Sequence, residues 1–363
     1  MSYRALVALS LVLGAIGQPS LAASVTFVNP GRSDEVFWVT ASRGLQMAAD
    51  SLDMKLDIHY AERSPEKILE IVKEIAAGKK TDYLIFPNEY ALGGEVLKIT
   101  EPAGIKTFFA YSTLPEAEFG RPRERYRNWI GSLVPDVEEA GFLTARALIT
   151  QGLAQGRFGK DGKLHMLAIA GDQKTPTSVL RTQGMMRAVK RERAAVLDQV
   201  VYADFNQQKA RESAAIALEK FRDVRLVWAG NDLMAFGAME TLEKRGKIPG
   251  KDVLFSGINT SRQAMEAVQS GRLAALAGGH FMAGAWALVM IYDYHHGKDF
   301  ASEGLVLTKP MFVMFTPELA KQYLAQFEGG MKGMDFRRYS KVHTPTVARY
   351  DFRLDRLLQK GAR

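Results

Sequence analysis

The chain has 363 residues, of which 47% are hydrophobic and 24% charged, and its formal net charge is +8. This length is enough for two ordinary domains, and the composition is that of a soluble globular protein. The chain contains no Cys, which excludes disulfides, Cys-based metal sites and a lipid anchor on Cys.

The first 23 residues have the features of a secretory signal peptide. Arg4 is followed by an uncharged, largely apolar run over residues 5–16, and small residues follow Pro19. The run of about 12 residues is shorter than the roughly 20 needed to span a bilayer. We therefore predict export to the periplasm, with cleavage near Ala22 or Ala23; the alternative is a buried first helix.

Short apolar runs alternate with amphipathic segments from residue 24 onward. The predicted strands are residues 25–28, 56–60, 83–86, 107–110, 164–170, 200–202, 225–229, 253–255 and 273–277. The predicted helices between them include residues 36–52, 66–77, 138–149, 179–191, 210–220, 233–245 and 262–270. This alternation predicts an α/β fold of parallel sheets covered by helices.

The predicted strands are best divided between two lobes. About nine strands precede Gly278, and both halves of the chain repeat the same alternation. An Arg- and Pro-rich segment at residues 120–125 leads into residues 128–135, where we place the break. We therefore predict two Rossmann-like lobes rather than one doubly wound sheet.

The positive charge is concentrated at the C-terminal end. Residues 331–363 contain nine Lys or Arg and three Asp, and they supply +6 of the formal charge. The basic character therefore belongs to a C-terminal extension, and we predict no nucleic-acid partner. Two interpretations of the extension stay open: it docks to an acidic partner or an anionic membrane, or it is a solvated segment packed across the surface.

Polar and aromatic residues follow the predicted strands, at the edge where open parallel sheets bind ligands. In residues 226–259 this is clearest, because two successive strands end in Asn231 and Asn259. Further candidates follow other strands: Phe37, Trp38, Tyr111, Ser112, Arg181 and Phe205. Aromatic faces with amide, hydroxyl and guanidinium donors suit a small, polar, uncharged ligand such as a sugar. The alternative is that turns simply favour Asn, Asp and Ser.

The patterns expected of catalytic or metal sites are lacking. The sequence contains no G-x-S-x-G, H-E-x-x-H or P-loop, and Ser64-x-x-Lys67 has no accompanying K-T-G or S-D-N. His295 and His296 are adjacent and cannot share a helix face, so we predict no metal site there. Residues 283–291 form an apolar run far below spanning length, and we expect a core helix. We predict no enzyme activity, no catalytic residue and no cofactor.

Several motifs, taken together and in order, carry a family resemblance. They are Pro30-Gly31 with Phe37-Trp38, Thr81-Asp-Tyr-Leu-Ile-Phe86, Arg181-x-x-Gly184, Ala203-Asp-Phe205, and Asn231-Asp-Leu-Met-Ala-Phe-Gly-Ala with Gly257-Ile-Asn259. Over nearly all of residues 24–310 the chain resembles the type I periplasmic sugar-binding proteins, of the ribose-binding and autoinducer-2-binding kind. The first two motifs look particularly like the autoinducer-2-binding branch.

The resemblance implies ligand-binding roles for individual residues. Phe37, Trp38 and Phe205 would form an aromatic sandwich around the ligand. Arg181 would clamp ligand oxygens, and Asn231 would supply an amide at the strand end.

Other positions depart from the family pattern. Asn259 stands where Asp is usual, and Tyr111 and Ser112 stand where Asp-Arg is common. Gly279 and His280 stand where Gln is usual, so His280 is included among the ligand-binding residues. The departures remove two carboxylates that normally accept hydrogen bonds from sugar hydroxyls, so the resemblance does not imply ribose or galactose as the ligand.

The resemblance also implies discontinuous lobes that are joined by a three-stranded hinge and close on a ligand. The domains expected after the signal peptide (1–23) are an N-terminal lobe of residues 24–131 plus 280–308, a C-terminal lobe of residues 132–279 plus 309–325, and the extension of residues 326–363. The extension exceeds the usual family length, and the resemblance implies nothing for it.

We therefore predict an exported solute-binding protein. It would capture a small sugar-like ligand between the lobes and present the closed form to an ABC transporter permease or to a membrane sensor, such as a kinase or cyclase. The alternatives are a sensory receptor subunit with no transport role and an enzyme on the same fold. A sugar-responsive repressor is disfavoured, because residues 1–23 are too short and too apolar for a DNA-binding helix-turn-helix.

Overall fold

The computed structural model describes residues 22–78, 80–328 and 334–358. The predicted signal peptide lies outside the described residues, except for Ala22 and Ala23. Within the described part of the chain, no helix combines the length and the apolar character needed to cross a bilayer.

Strands and helices alternate along most of the chain. The strands are β1 (Ser24–Asn29), β2 (Lys55–Tyr60), β3 (Tyr83–Phe86), β4 (Lys106–Ala110), β5 (Trp129–Pro135), β6 (Leu164–Ala170), β7 (Ala195–Tyr202), β8 (Val224–Ala229), β9 (Leu254–Ile258), β10 (Ala275–Gly278), β11 (Val306–Lys309) and β12 (Val313–Met314). The α-helices are α1 (Val36–Ser51), α2 (Pro65–Gly78), α3 (Gly93–Ala103), α4 (Glu116–Phe119), α5 (Val137–Ala154), α6 (Pro176–Arg191), α7 (Gln207–Lys220), α8 (Asp232–Glu243), α9 (Arg262–Gln269), α10 (Ala283–His295), α11 (Pro317–Glu328) and α12 (Leu354–Leu358). Short 3₁₀ turns occur at Glu89–Ala91, His280–Met282 and Phe336–Tyr339.

The strands form two six-stranded sheets. The first has the order β11-β5-β4-β3-β1-β2, and all its strands run parallel. The second has the order β12-β10-β9-β8-β6-β7, and only β12 runs antiparallel to its neighbour. We call the regions built on these sheets the first and the second lobe. Two α/β lobes with helix-flanked, mostly parallel sheets confirm the predicted fold class.

The chain passes between the lobes three times. The crossings follow β5, follow β10, and join β11 to β12. After the second crossing, α10 packs against α1, β4 and β5 of the first lobe. This arrangement is the three-stranded hinge that the resemblance implies.

The first crossing follows Pro135, at the end of the predicted range of residues 128–135, because residues 129–135 form β5. The strand is almost wholly buried between β4 and β11, so residues 132–135 belong to the first sheet. Gly131 interrupts the apolar run in the sequence and conceals the strand. A Cβ there would lie 2.6 Å from the Phe300 ring, so close packing requires the glycine.

Short polar side chains cap the first turns of two helices. Ser64 Oγ accepts the Lys67 N–H at 3.1 Å ahead of α2, and Asn231 Oδ1 accepts the Met234 N–H at 2.8 Å at the start of α8. Each short polar side chain satisfies a backbone donor that the first turn leaves free.

Glycines of two motifs serve contacts between helices in the second lobe. A Cβ on Gly184 of α6 would lie 1.9 Å from the Glu138 carbonyl oxygen of α5. A Cβ on Gly237 of α8 would lie 2.2 Å from the Gln207 carbonyl oxygen of α7. Larger residues would push these helices apart, so Gly184 also fixes the position of Arg181 on α6.

The C-terminal extension packs onto the protein as far as the structure describes it. Phe336, Phe352 and Leu354 are buried, and the Phe352 ring stacks on Trp286 of α10 with centroids 5.1 Å apart. The extension therefore contributes to the core beside α10, which fits the interpretation of a segment packed across the surface.

Two buried carboxylates hold the extension in place. Asp293 of α10 accepts hydrogen bonds from Ser340 Oγ, from the Lys341 N–H at 2.8 Å and from Tyr350 OH at 2.8 Å. Glu303 pairs with Lys341 Nζ at 2.6 Å. Part of the basic character of the extension is thus neutralised by the protein itself.

The extension also reaches the hinge. A Cβ on Gly279, at the second crossing, would lie 2.5 Å from the Met311 carbonyl oxygen and 3.2 Å from Leu354 Cβ. Met311 belongs to the third crossing and Leu354 to α12. Two crossings and the extension therefore meet at one point.

Candidate functional site

A cavity of about 810 Å³ lies between the two lobes, at the carboxyl edges of both sheets. This is the size range of small-molecule sites in proteins. Eight of the nine predicted site residues line it: Phe37, Trp38, Tyr111, Arg181, Phe205, Asn231, Asn259 and His280.

Ser112 is the ninth predicted residue, and the structure places it outside the cavity lining. Its Oγ accepts the Asn88 N–H at 2.8 Å, and Asn88 Nδ2 donates to the Thr113 carbonyl at 3.0 Å. Ser112 therefore joins the loops after β3 and β4. Strand-end position in the sequence cannot separate this bracing role from contact with a ligand.

The first lobe contributes an aromatic wall. The Phe37 and Trp38 rings meet edge to face with centroids 5.0 Å apart, and Trp38 and Tyr111 do so at 5.3 Å. Tyr111 OH donates to the Phe281 carbonyl at 2.9 Å, and its burial raises the pKa of the phenol, which stays protonated. Trp38 and Tyr111 are almost fully buried, whereas Phe37 is half-buried and offers its ring to the cavity.

The turn after β1 holds this wall in place. Asn29 Nδ2 donates to the Trp38 carbonyl at 3.2 Å and to Ser42 Oγ at 3.0 Å, and its Oδ1 accepts the Gly31 N–H at 2.9 Å. A Cβ on Gly31 would lie within 2.1 Å of the Trp38 ring, so only glycine fits. The motif Pro30-Gly31…Phe37-Trp38 thus encodes one packed unit.

Arg181 and His280 form the polar floor. Arg181 Nη1 donates to the Gly230 carbonyl at 2.9 Å, and Nη2 lies 3.0 Å from His280 Nε2. Because a guanidinium can only donate, His280 Nε2 accepts and the imidazole is neutral, with its proton on Nδ1. Burial and the Arg181 charge lower the pKa of His280 well below its ordinary value. The imidazole is packed between the Phe37 and Phe312 rings, at 4.9 and 4.5 Å.

Asn231 has a mainly positioning role in this structure. Its Oδ1 caps α8, and its Nδ2 donates to the Phe205 carbonyl at 3.3 Å. Phe205 itself lies in the left-handed backbone region, with φ of 54°, and a Cβ on Gly171 would lie 2.3 Å from its ring. Asn231 and Gly171 together set the direction of the Phe205 ring.

The unusual Asn259 has a local explanation. Its Nδ2 donates to Asp232 Oδ1 at 3.0 Å, and Asp232 is fully buried. Burial raises the pKa of Asp232, although hydrogen bonds from Ser261 and Asn259 favour its charged form. An Asp at position 259 would bring two carboxylates together, so the amide suits this neighbour.

The mouth of the cavity carries charged residues that the sequence analysis did not select. Arg63 forms a bidentate ion pair with Glu35 and lies 3.7 Å from a Glu89 carboxylate oxygen. Its guanidinium also lies over the Trp38 ring, 5.9 Å from the centroid. Arg63 follows β2. The sequence analysis named no ligand-binding candidate at this strand end, although it considered the adjacent Ser64 for a catalytic pattern.

Backbone strain marks the cavity. Ten residues other than Gly have positive φ in the described part of the chain, and six of them line the cavity: Arg63, Tyr90, Tyr111, Asp204, Phe205 and Asn259. Such conformations cost energy and concentrate at ligand sites. At most of these positions the residue type does not predict a positive φ.

The lining combines aromatic, polar and charged groups. Among the described residues, no group of three or more His, Asp, Glu or Cys could hold a metal ion. The lining offers aromatic faces, amides, one neutral imidazole and one buried guanidinium, together with four carboxylates and two further arginines.

Comparison with known proteins gives a consistent picture. The family model described as "Periplasmic binding protein domain" matches residues 25–299. The ribose import binding protein of Escherichia coli K12 is 27% identical over 240 residues, covering 66% of this chain and 73% of that protein.

Solved structures are similar over more of the chain. A periplasmic sugar-binding protein from Pseudomonas fluorescens is 36% identical, with a TM-score of 0.84, and covers 93% of this chain and 100% of its own. An ABC transporter periplasmic solute-binding protein from Actinobacillus succinogenes with bound D-allose is 20% identical, with a TM-score of 0.71. That likeness covers 83% of this chain and 100% of the other, and it concerns the fold alone.

Proposed function

Since the chain belongs to the type I periplasmic sugar-binding protein family, we propose that it captures a small sugar-like ligand between its lobes in the periplasm. The observation that carries this proposal is the interlobe cavity, which is lined by aromatic rings and polar donors from both lobes. Sugars present apolar C–H faces and polar edges, and such a lining suits both.

Capture would proceed by closure about the three crossings. Phe37 on the first lobe and Phe205 on the second would hold opposite faces of a ring, and Arg181 would donate to its oxygens. A ligand bound by both lobes favours the closed form only by its greater affinity for that form. The closed surface would then be recognised by a membrane partner.

We propose an ABC transporter permease as that partner, supported by the ribose import binding protein among the relatives. A membrane sensor is the second candidate, and the autoinducer-2-like motifs near the N-terminus favour it. Export through a signal peptide cleaved near Ala22 or Ala23 is part of the same proposal.

The direct test is to purify the protein without residues 1–23 and to identify small molecules released from it by mass spectrometry. A sugar-like ligand that raises the melting temperature on re-addition would support capture. Chemical conversion of that ligand by the protein would support the enzyme alternative instead.

Two variants test the site. Phe37→Ala and Phe205→Ala should each weaken ligand binding at least about tenfold, because each removes a stacking face. Ile216→Ala on α7 is the control, since Ile216 is 74% exposed and is not one of the residues that line the cavity. Unchanged affinity in both aromatic variants would place the ligand elsewhere.

A further inference from the structure

The first part of the C-terminal extension is attached to helices of the first lobe. Ser51 Oγ of α1 donates to Asp335 at 3.1 Å and accepts the Phe336 N–H at 2.8 Å. The Phe336 ring lies against Trp286 of α10, with centroids 5.3 Å apart. These contacts hold the start of the extension across α1 and α10.

The middle of the extension is attached to the sheet of the same lobe. Lys309 Nζ of β11 donates to the Tyr350 carbonyl at 3.2 Å and pairs with Glu303 at 3.0 Å. Glu303 in turn accepts the Tyr350 N–H at 3.1 Å. Together with the hydrogen bond from Tyr350 to Asp293, these contacts hold this segment firmly on the first lobe.

The helix α12, which ends the described part of the extension, contacts the second lobe. It packs against α11, and Gln326 Nε2 of α11 donates to the Leu358 carbonyl at 2.7 Å. The helix α11 belongs to the second lobe, because it follows β12 and packs on α9. Leu354, Leu357 and Leu358 are buried, so apolar packing supports the hydrogen bond.

Contacts within the extension join its two attachments. Arg338, two residues after Phe336, donates from Nη2 to the Arg356 carbonyl of α12 at 2.9 Å. The Phe352 ring, which stacks on Trp286, also stacks on Tyr350 with centroids 5.0 Å apart. The part on the first lobe and the part on α11 therefore form one packed segment.

This segment passes the hinge itself. Leu354 lies against the second crossing at Gly279, and the next residue, His280, lines the cavity. Rotation of the lobes about the crossings would change the position of α11 relative to α10. Closely packed interfaces do not deform continuously, so a wide rotation would have to break the contacts of the extension with one of the lobes.

We propose that the C-terminal extension is a brace across the hinge and restricts the rotation of the two lobes relative to each other. The proposed function assigns the extension no role, so this inference goes beyond it. Residues 335–352 supply the attachment to the first lobe, and α12 supplies the attachment to the second. A restricted hinge keeps the free protein near the lobe arrangement of this structure, which reduces the ordering that ligand capture requires.

Spin labels measure the rotation of the lobes without a ligand. Because the natural chain has no Cys, Lys73→Cys on α2 and Ile216→Cys on α7 place one label at an exposed position of each lobe. Double electron–electron resonance then gives the distribution of distances between the labels. In a chain that ends at Arg353 and so lacks α12, this distribution should become at least about twofold wider, because only the crossings then limit the hinge.

A second variant and a control accompany the shortened chain. Gln326→Ala combined with Leu354→Ala should widen the distribution to a smaller extent, because α12 stays but loses contacts with α11 and Gly279. This variant replaces the shortened chain in the test if the latter does not unfold cooperatively on heating. Arg356→Ala should leave the distribution unchanged, because its side chain is exposed and pairs with Asp351 within the extension.

An unchanged distribution in the shortened chain would overturn the inference, as would an unchanged distribution in the double variant if the shortened chain does not fold. The extension would then stabilise the first lobe without restricting the hinge. No ligand is present in these measurements, so that result would leave the proposed capture of a sugar standing. Capture is tested separately, by the release and re-addition of a bound sugar.

Discussion

Contacts with neighbouring residues explain the identity of individual cavity residues as much as contacts with a ligand would. Asn259 is the clearest case, because its amide donates to the buried carboxylate of Asp232. Its backbone, with φ of 121°, is also one that few residues other than Gly adopt. The amide that stands here in place of the usual carboxylate is therefore explained by its hydrogen bond to Asp232.

Asn259→Asp should lower the free energy of unfolding by about 2 kcal/mol at neutral pH, since it places a half-buried carboxylate against the buried carboxylate of Asp232. The pKa of the pair would rise above that of free Asp in the unfolded chain. The variant should therefore approach wild-type stability near pH 4 and lose stability as the pH rises through that raised pKa. Urea unfolding at pH 4, 5.5 and 7 measures this.

Asn259→Gly is the matched control for that series. It accepts the same backbone conformation and removes the amide without adding a charge. Its stability deficit should vary much less between pH 4 and 7. An equal pH dependence in both variants would contradict the explanation for Asn259.

The sequence predicted which residues would lie at the cavity better than it predicted the role of each residue. Strand-end position brought Phe37, Arg181 and Phe205 to the same cavity, because parallel strands share one carboxyl edge. Ser112 and Asn231 obey the same rule, yet their polar atoms are used within the protein. Hydrogen-bond direction depends on contacts distant in sequence, and the alternating pattern carries no information about them.

Among the elements, strands β6 and β7 at the edge of the second sheet are joined by a histidine–carboxylate contact that depends on pH. His165 on β6 lies 2.8 Å from Asp198 on β7 and 3.1 Å from Asp161. Burial opposes the charged imidazole, but the hydrogen bonds to Asp198 and Asp161 outweigh it and raise the pKa of His165. The charged pair therefore stabilises this edge at lower pH.

His165→Asn should cost more stability at pH 6 than at pH 9. A raised pKa gives stability that is fully present below the unfolded value of about 6.5 and is lost as the pH rises through the folded pKa. Thermal unfolding of variant and wild type at both pH values tests this. His59→Asn on β2 is the matched control, because its contact with Asp57 is exposed to solvent and contributes little to stability.

The C-terminal extension is the element that sequence patterns describe least well. Its apolar residues are spaced irregularly, and they are buried because Trp286 and its neighbours on α10 offer a surface. β5 escaped prediction for a related reason, since a contact with Phe300 selects the glycine that breaks its apolar run. The structure of both segments depends on packing contacts with residues far away in the sequence.

Phe352→Ala should lower the free energy of unfolding by about 3 kcal/mol, because it leaves a void beside Trp286. Denaturant unfolding followed by tryptophan fluorescence measures the loss. Arg349→Ala, an exposed position in the same segment, should change stability little. A negligible effect of Phe352→Ala would mean that the extension does not stabilise the lobe it covers.

At the scale of the whole molecule, like charges face each other across the cavity. Glu89 belongs to the first lobe and Asp172 to the second. Burial raises the pKa of Glu89, Arg63 opposes the rise, and the charges of Glu35 and Asp172 add to it. Glu89 is half-buried, and opening the lobes would expose it further and separate it from Asp172, so protonation of Glu89 should favour closure.

In the absence of ligand, the closed population should therefore grow as the pH falls from 7.5 to 5. Small-angle scattering would record this as a smaller radius of gyration. Glu89→Gln should be more closed than wild type at pH 7.5 and respond less to pH. An identical response in the two proteins would mean that Glu89 does not govern closure.

The meeting of α12 with the second and third crossings has a practical consequence for testing the proposed closure in real time. The natural chain contains no Cys, so Arg356→Cys at an exposed position of α12 would create one unique thiol for a fluorophore. That dye would sit beside the moving joint and away from the cavity lining. Its emission would report each opening and closing event without occupying the space that the ligand needs.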